Sequence, residues 1–187
     1  ELGVGGHTTN RLFGPTSNVY DLSLSAGGSS GGAGAAVAAQ LVPFADGTDQ
    51  MGSCRSPAAY SNIYGFRPTP GLIASVRSVS QKNLPILTTP GFLSRTPDDM
   101  AIILDAATGN NKLDPHSFNL KYSFADTEIN DFEFKNIKIG WLSDMNGNYK
   151  FENEILQICE KKLSKLNNLN LKVEYLKPNI DTDELWE

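Results

Sequence analysis

Residues Ala26 to Pro57 constrain this chain more than any other stretch. They read A-G-G-S-S-G-G-A-G-A-A-V-A-A-Q-L-V-P-F-A-D-G-T-D-Q-M-G-S-C-R-S-P and hold two serine sites, the pair Ser29-Ser30 between Gly-Gly steps and the lone Ser53 after Gly52, with 24 positions from Ser29 to Ser53. Glycine admits φ > 0 and close approach of other backbone, at an entropic cost that a plain linker has no reason to bear twice. Two tight loops presenting hydroxyls are therefore predicted, and Ser29 and Ser53 are the candidate chemical groups. The run A-G-A-A-V-A-A-Q-L predicts a helix from about Ala33 to Leu41, its positive N-terminal end facing the first serine loop.

Elsewhere the pattern is that of strands alternating with helices. Residues 1 to 25 read as loop with short extended pieces. Leu41 to Ala45 reads as a short buried strand, with Asp46-Gly47 turning it into the second serine loop. Pro57 to Asn62 reads as a short helix opened by proline, Ile63 to Arg67 as a strand, Ala74 to Gln81 as loop, and Gly91 to Arg95 as a strand. Thr96-Pro97-Asp98-Asp99 then supplies an N-cap hydroxyl, proline at the first helical position and acids in the first turn, so a helix is predicted up to Gly109. Fifteen of the 17 glycines lie at or before Gly109, whereas ten of the 16 lysines and arginines follow it. A motif-bearing part, 1–109, is thus followed by a scaffold part, 110–187. Within the latter, Asn110 to Phe134 reads as a surface excursion, Asn136 to Leu142 as a strand, Glu152 to about Leu166 as an amphipathic helix and Leu171 to Leu176 as a strand. Strand, helix, strand is the unit of an α/β sheet covered by helices.

With 187 residues, 40% hydrophobic and 20% charged, the chain has ordinary globular composition. A formal net charge of −5 offers no basic surplus for nucleic acid or anionic lipid. No apolar run reaches the length of a membrane span and no secretory signal pattern is present, so a cytoplasmic protein is expected. Cys54 and Cys159 are too few and too far apart for a disulfide framework or a zinc site. The chain starts at Glu1 without methionine and stops at D-E-L-W-E inside an amphipathic segment, so it reads as an internal fragment.

Several chemistries compete for the serine loops. A phosphate-cradling loop needs G-x-x-x-x-G-K-[ST], and no lysine precedes Lys82. A dinucleotide fingerprint on Gly32-Ala33-Gly34 fails at Val37 and lacks a hydrophobic strand upstream. Gly28-Ser29-Ser30-Gly31-Gly32 does contain the G-x-S-x-G elbow of α/β-hydrolase esterases, centred on Ser30. That site needs a downstream histidine, and only His116, in the polar L-D-P-H-S, could serve. The remaining chemistry is serine activation without histidine, in which a second serine carries the proton between nucleophile and a distant base. Two serine loops suit that relay.

G-G-S-S-G-G at 27 to 32, D-G-T-D-Q-M-G-S-C-R-S-P-A at 46 to 58 and Y-G-F-R-P-T at 64 to 69 together resemble the amidase signature family. H-T-T-N at 7 to 10, G-P-T-S-N at 14 to 18 and G-F-L-S-R-T-P-D-D at 91 to 99 fit the same resemblance. It is dense from Glu1 to Gly109 and thins beyond, and it implies one domain, of which 1–187 is a part, with an α/β fold: a mixed β-sheet covered by helices on both faces. It also implies a Ser-Ser-Lys triad acting on carboxamide C–N bonds. By that resemblance Ser53 is the nucleophile and Ser29 the bridging serine, preceded by a cis bond from Gly28. Ser30 supports the network, and the backbone N–H groups of Gln50, Met51, Gly52 and Ser53 form the oxyanion hole. Met51 stands where many members have glycine. Asp49 and Arg55, of opposite charge, are suggested to pair and hold the loop, and Cys54 is read as a packing residue.

The main departure concerns the base. The family's lysine lies upstream of the bridging serine, and this chain has none between Glu1 and Gln81. A segment carrying it is read as lying outside the chain, and the 187-residue chain alone is expected to be inactive. The resemblance implies a small-molecule amide substrate, no metal or organic cofactor, no direct nucleic-acid or membrane partner, and leaves self-association open. Two other classes stay open: an A-type subunit of a glutamyl-tRNA amidotransferase, which works with partner subunits, and a non-catalytic homologue kept for binding or assembly.

Overall fold

The middle strand of a three-stranded sheet, Thr89–Ser94, alternates its side chains between two apolar clusters. Leu93 belongs to one with Val37, Cys54 and Ala58, and Phe92 to another with Ile73, Met100 and Leu104. Successive strand residues point to opposite faces, so helices must cover both sides of the sheet it belongs to. The computed structural model describes residues 5–75, 87–127, 137–145, 147–169, 171–177 and 184. They fall into two compact units, Glu1–Thr127 and Glu128–Glu187.

In the first unit, β1 (Thr9–Asn10) and β2 (Gly14–Pro15) make a small antiparallel pair, followed by α1 (Gly31–Ala38), β3 (Phe44–Asp49), α2 (Arg55–Tyr60), β4 (Tyr64–Phe66), β5 (Thr89–Ser94) and α3 (Pro97–Ala107). β5 lies between β3 and β4, antiparallel to both, with Gly47 opposite Gly91 and Gly65 opposite Leu93. The sheet therefore has α1 and α2 on its Leu93 face and α3 on its Phe92 face.

α3 is the helix whose limits local chemistry sets most fully. Thr96 Oγ1 accepts the Asp99 N–H at 3.1 Å, Pro97 fills the first helical position, and Asp98 and Asp99 sit at the positive end of the helix. Three expectations need correction. The apolar run from Leu41 is not a buried strand: Leu41 is 77% exposed, and the strand begins at Phe44 and runs straight through Asp46-Gly47 instead of turning there. That glycine lies within the ladder because a side chain there would strike Ser30 of the first serine loop and Cys54 of the second. α1 starts at Gly31, two residues before the alanine run, because the helix grows directly out of the serine turn. α2 starts at Arg55, so Pro57 is its third residue and not its first.

Residues 110–127 carry no helix or strand, but they pack onto the rest of the first unit. Asp105 of α3 accepts the Ser123 hydroxyl and the Phe124 and Ala125 N–H groups, and the buried Asp114 accepts the Ser75 N–H at 2.8 Å. Most of the loop expected at Ala74 to Gln81, and the end of the excursion from 128 to 134, lie outside the described residues.

The second unit is built on β6 (Lys138–Trp141) and β7 (Lys172–Tyr175), paired in parallel and joined through α4 (Asn153–Leu163) and a 3₁₀ segment, Ser164–Leu169. A parallel pair needs such a crossover, and this is the strand, helix, strand unit expected from the pattern. Parallel and antiparallel pairings thus both occur, in an α/β chain. Among the described residues no helix is long and apolar enough to cross a membrane.

Candidate active site

The first serine loop is held from below by Thr8. Its buried Oγ1 accepts the Gly31 N–H at 2.9 Å and lies 3.1 and 3.2 Å from the carbonyl oxygens of Gly27 and Ser29. The chain crosses so closely that a Cβ on Gly28 would lie 2.6 Å from the His7 nitrogen, and one on Gly31 would collide with the Thr8 side chain. Only glycine fits at either place. The Gly28-Ser29 peptide bond is cis. Ser29 is buried, and its Oγ makes no hydrogen bond among the described residues.

The second loop is wrapped around one carboxylate. Asp49, the last residue of β3, is fully buried and accepts the N–H groups of Gly52 at 2.8 Å, Cys54 at 3.2 Å and Arg55 at 3.3 Å. The Arg55 guanidinium clamps it through two bonds of 3.0 Å each, and Arg67 Nε approaches to 3.6 Å. Burial works to raise the Asp49 pKa, but the Arg55 guanidinium and the three N–H donors outweigh it and hold the carboxyl at about 2. The negative charge organises the turn that carries Ser53. Gly52, at φ +113°, supplies the left-handed step that the turn needs.

The two loops meet. The Ser30 N–H donates to the Ser53 carbonyl at 3.2 Å. Gly28 from one loop and Gln50, Met51 and Ser53 from the other line a single open cleft of about 390 Å³, completed by Gly5, Gly6, Ser56 and Tyr60. Met51 is 75% exposed into solvent, and Gln50 Oε1 accepts the Thr88 hydroxyl at 2.9 Å. One expected oxyanion donor is taken: the Gly52 N–H is committed to Asp49, because the carboxylate needs it to close the turn.

Cys54 cannot act as a nucleophile here. It is fully buried, and burial, reinforced by the Asp49 charge, pushes its thiol up to about 12, so it stays protonated near neutral pH. The elbow reading of Ser30 fails on geometry, because no strand leads into it, its hydroxyl lies against Gly47 of β3, and His116 lies against Gly71.

The quoted motifs hold residues that sequence reasoning left without roles. Thr8 of H-T-T-N supports the first loop. Asn18 of G-P-T-S-N donates to the Tyr60 carbonyl at 2.6 Å, tying the N-terminal segment to α2. Arg67 of Y-G-F-R-P-T reaches the carbonyl and the carboxylate of Asp49. Arg95 of G-F-L-S-R-T-P-D-D donates to the Val37 and Val42 carbonyls, closing the C-terminal end of α1. A polar residue embedded in each motif was the available clue.

A family model described as Amidase matches residues 1–185. The chain belongs to the amidase signature family. It is 37% identical over 164 residues to the A-type subunit of a glutamyl-tRNA(Gln) amidotransferase from Saccharolobus solfataricus, covering 88% of this chain and 31% of that protein. It is 34% identical over 178 residues to an acylamidase of Rhodococcus erythropolis, covering 95% of this chain and 36% of that one. Among solved structures, a bacterial aryl acylamidase of the amidase signature family superposes with a TM-score of 0.85 at 35% identity, over 94% of this chain and 35% of the other. The chain therefore spans about a third of the length of these relatives.

Proposed function

We propose that the protein to which this chain contributes hydrolyses carboxamide C–N bonds through a serine acyl-enzyme. The observation that carries the reading is the convergence of the two serine loops on one cleft, with the Ser30 N–H bonded to the Ser53 carbonyl. In this reading 1–187 is part of a single amidase domain. Ser53 attacks the carbonyl carbon and its proton passes to Ser29. The developing oxyanion takes hydrogen bonds from the N–H groups of Gln50, Met51 and Ser53, each worth roughly 2.7–4 kcal/mol in the transition state. The C–N bond breaks, the nitrogen leaves as ammonia or amine with a proton returned through Ser29, and water then attacks the acyl-Ser53 ester to release the acid. Ser29 passes these protons to a lysine base supplied from outside this chain, a reading supported by its buried, unpartnered hydroxyl. Asp49 and Arg55 hold the turn, and Ser30 and Gly28 shape the first loop. No cofactor enters this chemistry. The two free cysteines, Cys54 and Cys159, agree with a cytoplasmic location.

The similarity to the A-type component of an amidotransferase favours a second reading, in which the same amide chemistry serves a complex with partner subunits. Ammonia release from simple aliphatic and aromatic amides by the longer protein tests both. Ser53→Ala and Ser29→Ala should each lower turnover at least roughly 1,000-fold, with the double variant no worse than either, because residues acting as a unit are non-additive. Activity surviving Ser53→Ala would overturn the assignment. Activity that appears only when partner subunits are added would select the second reading.

A further inference from the structure

Cys54 adjoins the proposed nucleophile, yet the proposed chemistry leaves it unused. Its surroundings give it another task. The thiol lies over the cross-strand pair Gly47 and Gly91, where a Cβ would come within 2.9 and 3.2 Å of Sγ. On β4, a Cβ at Gly65 would lie 2.6 Å from the Cys54 carbonyl oxygen. Each of the three strands therefore opens a glycine toward this one residue. Its backbone is held as well, the N–H by Asp49 Oδ2 at 3.2 Å and the carbonyl by the Ala58 N–H at 3.2 Å.

Ser30 arrives at the same place from the other loop. Its hydroxyl and the Cys54 thiol both lie against Gly47, where a Cβ would come within 2.7 Å of Ser30 Oγ and 2.9 Å of Cys54 Sγ. The residue that follows Ser29 thus meets the residue that follows Ser53 on a floor of glycine. We propose that Ser30 and Cys54 are positioning residues, and that their contact over Gly47 sets the separation of the Ser29 and Ser53 hydroxyls. This rests on the amide-hydrolase reading. Each serine is a single peptide unit from its anchor, and consecutive Cα atoms are held about 3.8 Å apart, so little slack can absorb an anchor's movement. A misplacement of about 1 Å can cost on the order of 100-fold in rate.

The test is made in the longer protein. Gly47→Ala drives a methyl between the two anchors. It should lower kcat about 100-fold while KM stays within about twofold, since no residue lining the cleft is replaced. Adding Cys54→Ala to that variant vacates the thiol's space and should recover at least about tenfold in kcat, a rescue that a general loss of packing would not show. By hydrogen exchange, the Ser30 amide should exchange at least about tenfold faster in Gly47→Ala, because its bond to the Ser53 carbonyl is pulled apart. A kcat within about threefold of the parent, or a loss that Cys54→Ala does not relieve, overturns the proposal, as does unchanged exchange at Ser30. If Gly47→Ala does not fold, Cys54→Ala alone decides: a loss of about tenfold in kcat at unchanged KM supports it, and an unchanged kcat overturns it. A longer protein inert to every amide, with Ser53→Ala indistinguishable from it, defeats the amide-hydrolase reading instead. The exchange of the Ser30 amide still decides then whether the contact joins the loops.

Discussion

Asp49 shows how one side chain can organise a reactive loop. It takes three backbone N–H groups and a two-pronged guanidinium, all within the seven residues that contain Ser53. Its folded pKa, about 2, lies below the ordinary aspartate value near 3.9. A depressed carboxylate contributes stability that is fully present above the unfolded value and is lost as pH falls from about 4 through about 2. Asp49→Asn should therefore destabilise the longer protein by about 1–3 kcal/mol at pH 7, with the gap to the parent closing below pH 3. Urea unfolding at pH 7, 4 and 2.5 checks this; a gap independent of pH would mean that the charge is not what holds the turn. The pairing of Asp49 with Arg55 could be suggested from charge and spacing. The three N–H bonds could not, since they depend on a backbone path that the Gly52 step creates.

Elements with complete local chemistry were legible, and those defined by their neighbours were not. α3 carries its own cap, and the expected start and end match the structure. Thr96→Ala should cost about 1 kcal/mol and Thr96→Ser only a few tenths, measured as a shift in the urea midpoint at constant m-value. An equal loss in both variants would show that the methyl, not the hydroxyl, matters. β3 is the contrary case. Its apolar letters, Leu41 to Ala45, suggested a buried strand, but the residues that pair with β5 are F-A-D-G-T-D, a poor strand sequence. Tertiary demand overrides propensity there: Gly47 must be glycine to admit Cys54 and Ser30, and Asp49 must end the strand beneath the loop that carries Ser53.

At the scale of the whole molecule, the chain covers about a third of its relatives, and the lysine base that the proposed chemistry calls for is not among its first 81 residues. The 187-residue chain alone should show no amide turnover above background where the longer protein does. Turnover by the chain itself, abolished by Ser53→Ala, would overturn the missing-base argument. The resemblance to amidase signature enzymes was readable because the family's motifs are contiguous, glycine-rich strings whose backbone requirements leave few alternative residues. By itself the sequence determined the α/β class, the cap of α3, the candidate serines and the family, all of which rest on local chemistry or on strings of adjacent residues. Only the tertiary structure decided that Thr8 supports the Ser29 loop, that Arg67 reaches Asp49, that the Gly52 N–H serves the turn, and that Ser30 meets Cys54 over Gly47. These pairs stand 18 to 24 positions apart or need a particular backbone path, and spacing along a chain carries no information on which distant residues the packing will bring together.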